Sequence, residues 1–170
     1  MDKIETERLV LRNFTKDDFD DLFEYISDKE TVKFEPYEAM SESRCKEDLQ
    51  WRTTCDEMIA MELKETGKVI GPVYMGNRDF ERKELGYVLN KKFWRKGYAK
   101  EACLAVVEDA FKKGVHRVFA ECDPLNENSW RLLESLGFIK EAYFKQNVYF
   151  WKDENGNPIW KDTFLYGKLK

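Results

Sequence analysis

The sequence predicts one mixed α+β (α/β) domain: a largely antiparallel sheet with helices on both faces. Three observations predict it. At 170 residues, with 42% hydrophobic and 15% aromatic side chains, the chain suits one domain around one core. Its apolar residues switch between alternation, typical of strands, and helical spacing, in the order β α α β β β α β α β β. No internal repeat or low-complexity linker interrupts that order, so strands and helices must share their packing.

Residues 8–14 open with a short β-like run. Thr15 with Asp18 resembles a capping box, and Phe19, Leu22, Phe23 and Ile26 then recur at helical spacing. Asp17, Asp18, Asp20 and Asp21 occupy the first turns, where the helix dipole favours acids. Residues 33–43 lack a period and contain Pro36, so they read as a loop before a second helix over 43–55. Residues 58–63, 69–77 and 85–89 read as antiparallel strands, the first two joined by a turn at Glu65-Thr66-Gly67. Pro72 has no N–H for a ladder, which predicts an edge or a bulge. Over 98–113, Ala99, Ala102, Cys103, Val106, Ala110 and Phe111 mark one helical face that Gly114 ends. A strand follows over 115–122, and Asn126 or Asn128 then caps a helix bearing Trp130, Leu133 and Leu136 that stops at Gly137. The last strands, 138–151 and 159–169, flank the hairpin dipeptide Asn155-Gly156.

Composition excludes several function classes. No apolar run approaches the roughly 18 residues of a membrane span, and the N-terminal stretch is charged rather than built like an export signal. Cys45, Cys55, Cys103 and Cys122 form no CxxC pair and read as reduced thiols of a cytoplasmic protein. His116 is the single histidine, so a zinc set has no second imidazole and no metal is expected. A formal net charge of -4 offers no overall field for nucleic acid. The charge is unevenly spread, with 14 basic and 22 acidic side chains in residues 1–85 but 15 and 11 in residues 86–170. An acidic half beside a basic half suits a protein that holds a cation with one and an anion with the other.

The sharpest chemical signal is Lys91-Lys92-Phe93-Trp94-Arg95-Lys96-Gly97-Tyr98-Ala99-Lys100, five basic residues in ten without an acid, between a strand and a helix start. Successive backbone N–H groups in such a turn, with the helix dipole behind them, make an anion site, and Gly97 lets the backbone approach closely. GxxxxGK[ST] and GxGxxG are both absent, so the site is neither a P-loop nor a dinucleotide fingerprint.

The stretch Trp94-Arg95-Lys96-Gly97-Tyr98-Ala99 resembles the pyrophosphate loop of the GNAT acetyltransferases, Q/R-x-x-G-x-G/A, with Trp94 at the position usually held by Gln or Arg. Asn126-Glu127-Asn128-Ser129 followed by Leu136-Gly137-Phe138, together with Glu5-Thr6-Glu7-Arg8-Leu9-Val10-Leu11-Arg12, resembles the branch that acetylates ribosomal-protein N-termini. The resemblance implies acetyl-CoA as co-substrate, direct attack by a primary amine, and a GNAT fold with one splayed pair of parallel strands, here 85–90 and 115–122. It further implies that the backbone at Val88 and Leu89 pairs with the pantetheine arm, that amides of Arg95, Lys96, Gly97, Tyr98, Ala99 and Lys100 hold the diphosphate, and that Asn126 binds near the sulfur. Glu35, Tyr37 and Trp51 fall in the segments that line the acceptor pocket, and the quaternary state is a monomer or a homodimer.

Amine acetylation asks for a base to take the ammonium proton and an acid to protonate the leaving thiolate. Leu133 stands where many family members carry the acidic tyrosine, which makes Ser129 the candidate acid. Residues 144–150 lack the glutamate that some relatives use, which makes Glu84 the candidate base and leaves Glu35 to attract the amine. The acceptor is then a protein N-terminus, a polyamine or another amine-bearing small molecule. Two other readings compete: a catalytically silent acyl-CoA sensor, suggested by Leu133, and a nucleic-acid-binding domain, suggested by the basic loop and opposed by the acidic half.

Overall fold

Described over residues 2–170, the computed structural model runs β1 (Ile4–Glu5), β2 (Leu9–Asn13), α1 (Phe19–Ile26), α2 (Glu42–Arg52), β3 (Met58–Leu63), β4 (Val69–Arg78), β5 (Arg82–Tyr87), α3 (Tyr98–Lys112), β6 (Arg117–Cys122), α4 (Glu127–Ser135), β7 (Ile139–Lys152) and β8 (Pro158–Leu169). The strands form one sheet in the order β1-β2-β3-β4-β5-β6-β8-β7. Every pairing is antiparallel except β5 with β6.

Alternation along β3 shows how the sheet divides its core. Ile59, Met61 and Leu63 join a buried cluster with Val106, Val107 and Leu133 of α3 and α4, whereas Met58 and Ala60 join Leu22, Ile26 and Leu49 of α1 and α2. Helices therefore cover both faces, as the nearly continuous apolar run at 58–63 requires. Arg12 ties the first face together. Its guanidinium grips Asp18 through two 2.8 Å hydrogen bonds and Glu62 at 2.5 Å, while the Asp18 carboxylate also accepts from the Thr15 N–H at 2.7 Å. The capping-box acid is thus also a buried anchor between α1's lead-in turn and the sheet.

Three elements depart from the sequence reading. The two-residue β1 is too short to show a period. β5 begins at Arg82 and ends at Tyr87 rather than spanning 85–89, because its first residues are charged and lack apolar alternation although they pair with both neighbours. The Asn155-Gly156 turn belongs to a five-residue connection in which the Asp153 carboxylate accepts from the N–H groups of Asn155 and Asn157 at 2.9 and 2.8 Å.

The bulge expected at Pro72 is present. Ala60 pairs with Pro72 but Glu62 pairs with Val69, so β4 carries one residue more than β3 there. Gly71 makes this possible, since a Cβ at that position would lie 2.1 Å from the Val88 carbonyl oxygen. β5 follows the bent β4: the Val88 N–H donates to the Pro72 carbonyl at 3.2 Å and the Asn90 N–H to the Ile70 carbonyl at 2.8 Å. Its parallel pairing with β6 stops at Glu84–Phe119, after which β6 continues against β8 through Cys122–Phe164. A V-shaped opening begins at Glu84. Gly71→Ala should lower stability by about 2–3 kcal/mol, the range of strongly disruptive backbone clashes. Gly67→Ala, at φ +72 with nothing within 4 Å, should lose only about 1 kcal/mol. Urea unfolding of the two variants checks this, and equal losses would mean the close approach at Val88 is unimportant.

Candidate active site

The basic loop is built by its neighbours before it can bind anything. Asn90 is buried, its side-chain amide donating to Glu24 at 2.8 Å while its oxygen accepts from the Lys92 N–H at 3.1 Å to cap one 3-10 turn, Lys91–Phe93. The Trp94 indole donates to the Leu89 carbonyl at 2.6 Å, so the residue that departs from the family pattern closes the loop onto β5. Arg95 and Gly97 then take left-handed φ values of 60° and 81°, and α3 starts at Tyr98. Among the described residues, the N–H groups from Arg95 to Lys100 find no acceptor in the chain. Six consecutive orphan donors beside a helix N-terminus are suited to a diphosphate.

The N-terminal segment clamps this loop from behind. Arg8 donates to the Lys96 carbonyl at 2.8 Å and to Glu101 at 2.7 Å, and its guanidinium lies 4.3 Å from the Tyr98 ring centroid. Thr6 adds a 2.6 Å bond to Glu101. Burial pushes the Glu101 carboxyl up, but Thr6 and Arg8 outweigh it and hold the group below its ordinary range. The one acid in the first turn of α3 is thereby neutralised and turned away from the anion site. Two of the loop's five cations are also engaged, Lys91 with Asp28 at 2.6 Å and Lys92 with Glu24 at 3.2 Å.

A cleft of about 1050 Å³ runs from the loop through the V to α2 and the 30–37 loop. It brings together Glu35, Tyr37, Trp51, Glu84, Val88, Leu89, Arg95, Gly97, Tyr98, Ala99, Lys100, Asn126 and Ser129. Lys96 is not among its walls; its carbonyl holds Arg8 and its ammonium lies over Phe93 at 5.3 Å. Val88 lines the cleft, but its backbone N–H is committed to β4, so by strand alternation the backbone groups facing the V are those of Tyr87 and the N–H of Leu89, whose carbonyl accepts from Trp94. Asn126 caps α4, its side-chain oxygen accepting from the Ser129 N–H at 3.3 Å.

Sequence reasoning missed the group at the centre of the V. The Tyr87 hydroxyl donates to the Ser129 carbonyl at 2.9 Å and lies 3.1 Å from Ser129 Oγ. Burial, with Cys103 beside it, drives the Tyr87 phenol well above its ordinary pKa, so it stays protonated. Burial likewise pushes the adjoining Cys122 thiol up to about 11 despite its contact with Ser129, leaving a thiol and not a nucleophilic thiolate. Leu133, where a tyrosine was sought, is wholly buried in the core. No spacing rule reveals Tyr87, because its partner lies 42 residues away.

The carboxylates sort by environment. Glu84 stands at the apex of the V but is ion-paired with Arg78. Glu121, opposite, is raised by partial enclosure and by Glu84. Glu35 is the most perturbed: burial pushes its carboxyl up to about 7, while Arg52 pulls the other way. A carboxylate titrating there suits a general base near neutral pH. Arg52 itself, only 3% exposed at the end of α2, is a second cleft residue that the sequence reading passed over.

The profile of the acetyltransferase (GNAT) domain family matches residues 8–139. The chain belongs to the GNAT acetyltransferase family. It is 31% identical over 173 aligned positions to the uncharacterized N-acetyltransferase YnaD of Bacillus subtilis, covering 98% of this chain and 96% of that one. A GNAT-family acetyltransferase structure from Bacillus anthracis superposes with a TM-score of 0.90 at 30% identity, covering 99% and 98% of the two chains. The ribosomal-protein-S5-alanine acetyltransferase of Vibrio fischeri shares the fold, with a TM-score of 0.77 at 23% identity over 99% and 97%. As a GNAT member this protein is an N-acetyltransferase. Gly97→Val, forcing a branched side chain to φ +81 with its Cβ 3.3 Å from Arg8, should weaken acetyl-CoA binding at least about 10-fold. Lys92→Ala, which loses only a surface pair, should change it less than about 3-fold. Calorimetric titration of both variants decides.

Proposed function

We propose that this GNAT enzyme transfers acetyl from acetyl-CoA to a primary amine by direct attack, with Glu35 as base and the Tyr87–Ser129 pair as acid. When bound, acetyl-CoA supplies the activated thioester. The amides of Arg95, Lys96, Gly97, Tyr98, Ala99 and Lys100 hold its diphosphate, Leu89 and Asn126 guide its arm, and Tyr87 and Ser129 keep a proton ready at their hydroxyls for the departing sulfur. The observation that carries this reading is a hydroxyl pair that stays protonated and a carboxyl poised near 7 in the same cleft as an anion-binding row of amides. Glu84, the base expected from the sequence, is not assigned that part here because its carboxylate is already ion-paired with Arg78.

A silent sensor is the less favoured reading, since Tyr87 offers the acid that Leu133 cannot. Thiol release from acetyl-CoA against peptides, polyamines and small amines tests the activity directly, and binding of acetyl-CoA without release for any amine would favour the sensor. Tyr87→Phe and Ser129→Ala should each lower kcat about 10- to 100-fold with little change in acetyl-CoA affinity. Unchanged kcat in both would remove the acid assignment.

The Glu35 carboxylate is basic only when deprotonated, so kcat/KM should rise with pH through about 7. In Glu35→Gln that limb should disappear, leaving the slower rise that follows the amine's own titration at higher pH. A mutant profile superimposable on the wild type would place the base elsewhere, with Glu121 next to be tried.

A further inference from the structure

We infer that the acceptor end of the cleft is a carboxylate-binding subsite centred on Arg52, so that the acceptor is a small amino-carboxylic acid rather than a polyamine or a protein N-terminus. The inference rests on the acetyltransferase reading and names its acceptor class. Arg52 ends α2, lines the cleft and is nearly inaccessible, an unusual place for a guanidinium. Two contacts fix it there: Nε donates to Asp48 at 2.5 Å, and the guanidinium lies 5.4 Å from the Phe14 ring centroid. Nη1 is buried without an acceptor among the described residues. Buried donors of this kind are normally satisfied, and the planar fork of arginine is matched best by the two oxygens of a carboxylate. Thr31 Oγ1, in another wall of the same cleft, and the Tyr25 hydroxyl, which feels the Arg52 charge, are also buried without partners. Arg52 and Thr31 thus place two unsatisfied polar groups in the walls of one cleft, with the Tyr25 hydroxyl outside those walls.

One small ligand can meet both ends of this region. Glu35 and Arg52 line the same cleft, and the Arg52 charge acts on the Glu35 carboxyl. An amine at Glu35 and a carboxylate at Arg52 can then belong to one amino acid. A polyamine would bring a second cation towards Arg52. A peptide N-terminus would bring a neutral carbonyl there. Phe34, Tyr37 and Trp51 on the same walls suit an apolar or aromatic body between the two ends.

The test pairs amino acids with the amines formed by their decarboxylation, over aliphatic, aromatic and polar side chains, and adds a peptide and a polyamine. Binding to the full-length protein saturated with CoA is read by calorimetry, and acetylation separately by thiol release. At least one amino acid should bind about 10- to 100-fold more tightly than its decarboxylated partner, the value of a charge-assisted hydrogen bond. Arg52→Lys keeps a cation for Asp48 but loses the fork and should reduce that preference about 10-fold or more. Arg52→Met combined with Asp48→Asn, which avoids a lone buried carboxylate, should abolish it. Equal binding within every pair, no binding of any amino acid, or a preference that survives in either folded variant would overturn the inference. Acetylation of the peptide or polyamine in the same assay would leave the acetyltransferase reading standing, whereas absence of thiol release with every amine would sink that reading while the calorimetry still judged the subsite.

Discussion

The close approach of the Val88 carbonyl to Gly71 is the contact on which the site depends. It is possible only without a side chain at Gly71, and it carries β5 along the bulge of β4 after the parallel pairing with β6 has ended at Glu84. Neither strand is left with an unsupported backbone, because β5 keeps its bonds to β4 and β6 keeps its own to β8. The sheet therefore opens without losing its ladder on either side. The V thereby leaves a strand edge without a neighbouring strand, at the Tyr87 backbone and the Leu89 N–H.

The anion-binding end illustrates how much of a binding loop is devoted to shaping. Of its cations, Lys91 and Lys92 are tied to acids, and Lys96 contributes a carbonyl to the Arg8 clamp. Trp94 closes the loop onto Leu89. What remains on the cleft side is a row of backbone N–H groups shaped by two left-handed residues, with the Arg95 and Lys100 side chains beside it. Such donors cost little reorganisation on binding, which favours affinity more than additional mobile lysines would.

Between the ends of the cleft, burial shifts several titratable groups. Burial keeps the Tyr87 phenol and Cys122 thiol protonated and lifts Glu35 to about 7. Desolvation thus has two consequences for the chemistry available: a phenol and a thiol keep their protons, and a carboxyl is raised towards neutrality.

The sequence by itself determined the order of elements apart from the two-residue β1, an irregularity at Pro72 that the structure makes a bulge, and the amide loop at 95–100, because periodicity, the missing proline N–H and the glycine-bearing turn act over a few residues. It also offered Asn126 or Asn128 as the cap of α4, of which the structure uses Asn126, and the family resemblance singled out Glu35 and Trp51, which line the cleft. The pairing of β5 upstream of residue 85 escaped it, since charged residues there give no alternation. Only the tertiary structure decided which hydroxyl meets Ser129, which carboxylate is paired and which is dry, and that Arg52 is buried beside the cleft. Tyr87 and Ser129, or Glu84 and Arg78, are ordinary residues in the sequence. Their chemistry arises from burial and from partners brought together by the sheet, and no local pattern encodes either.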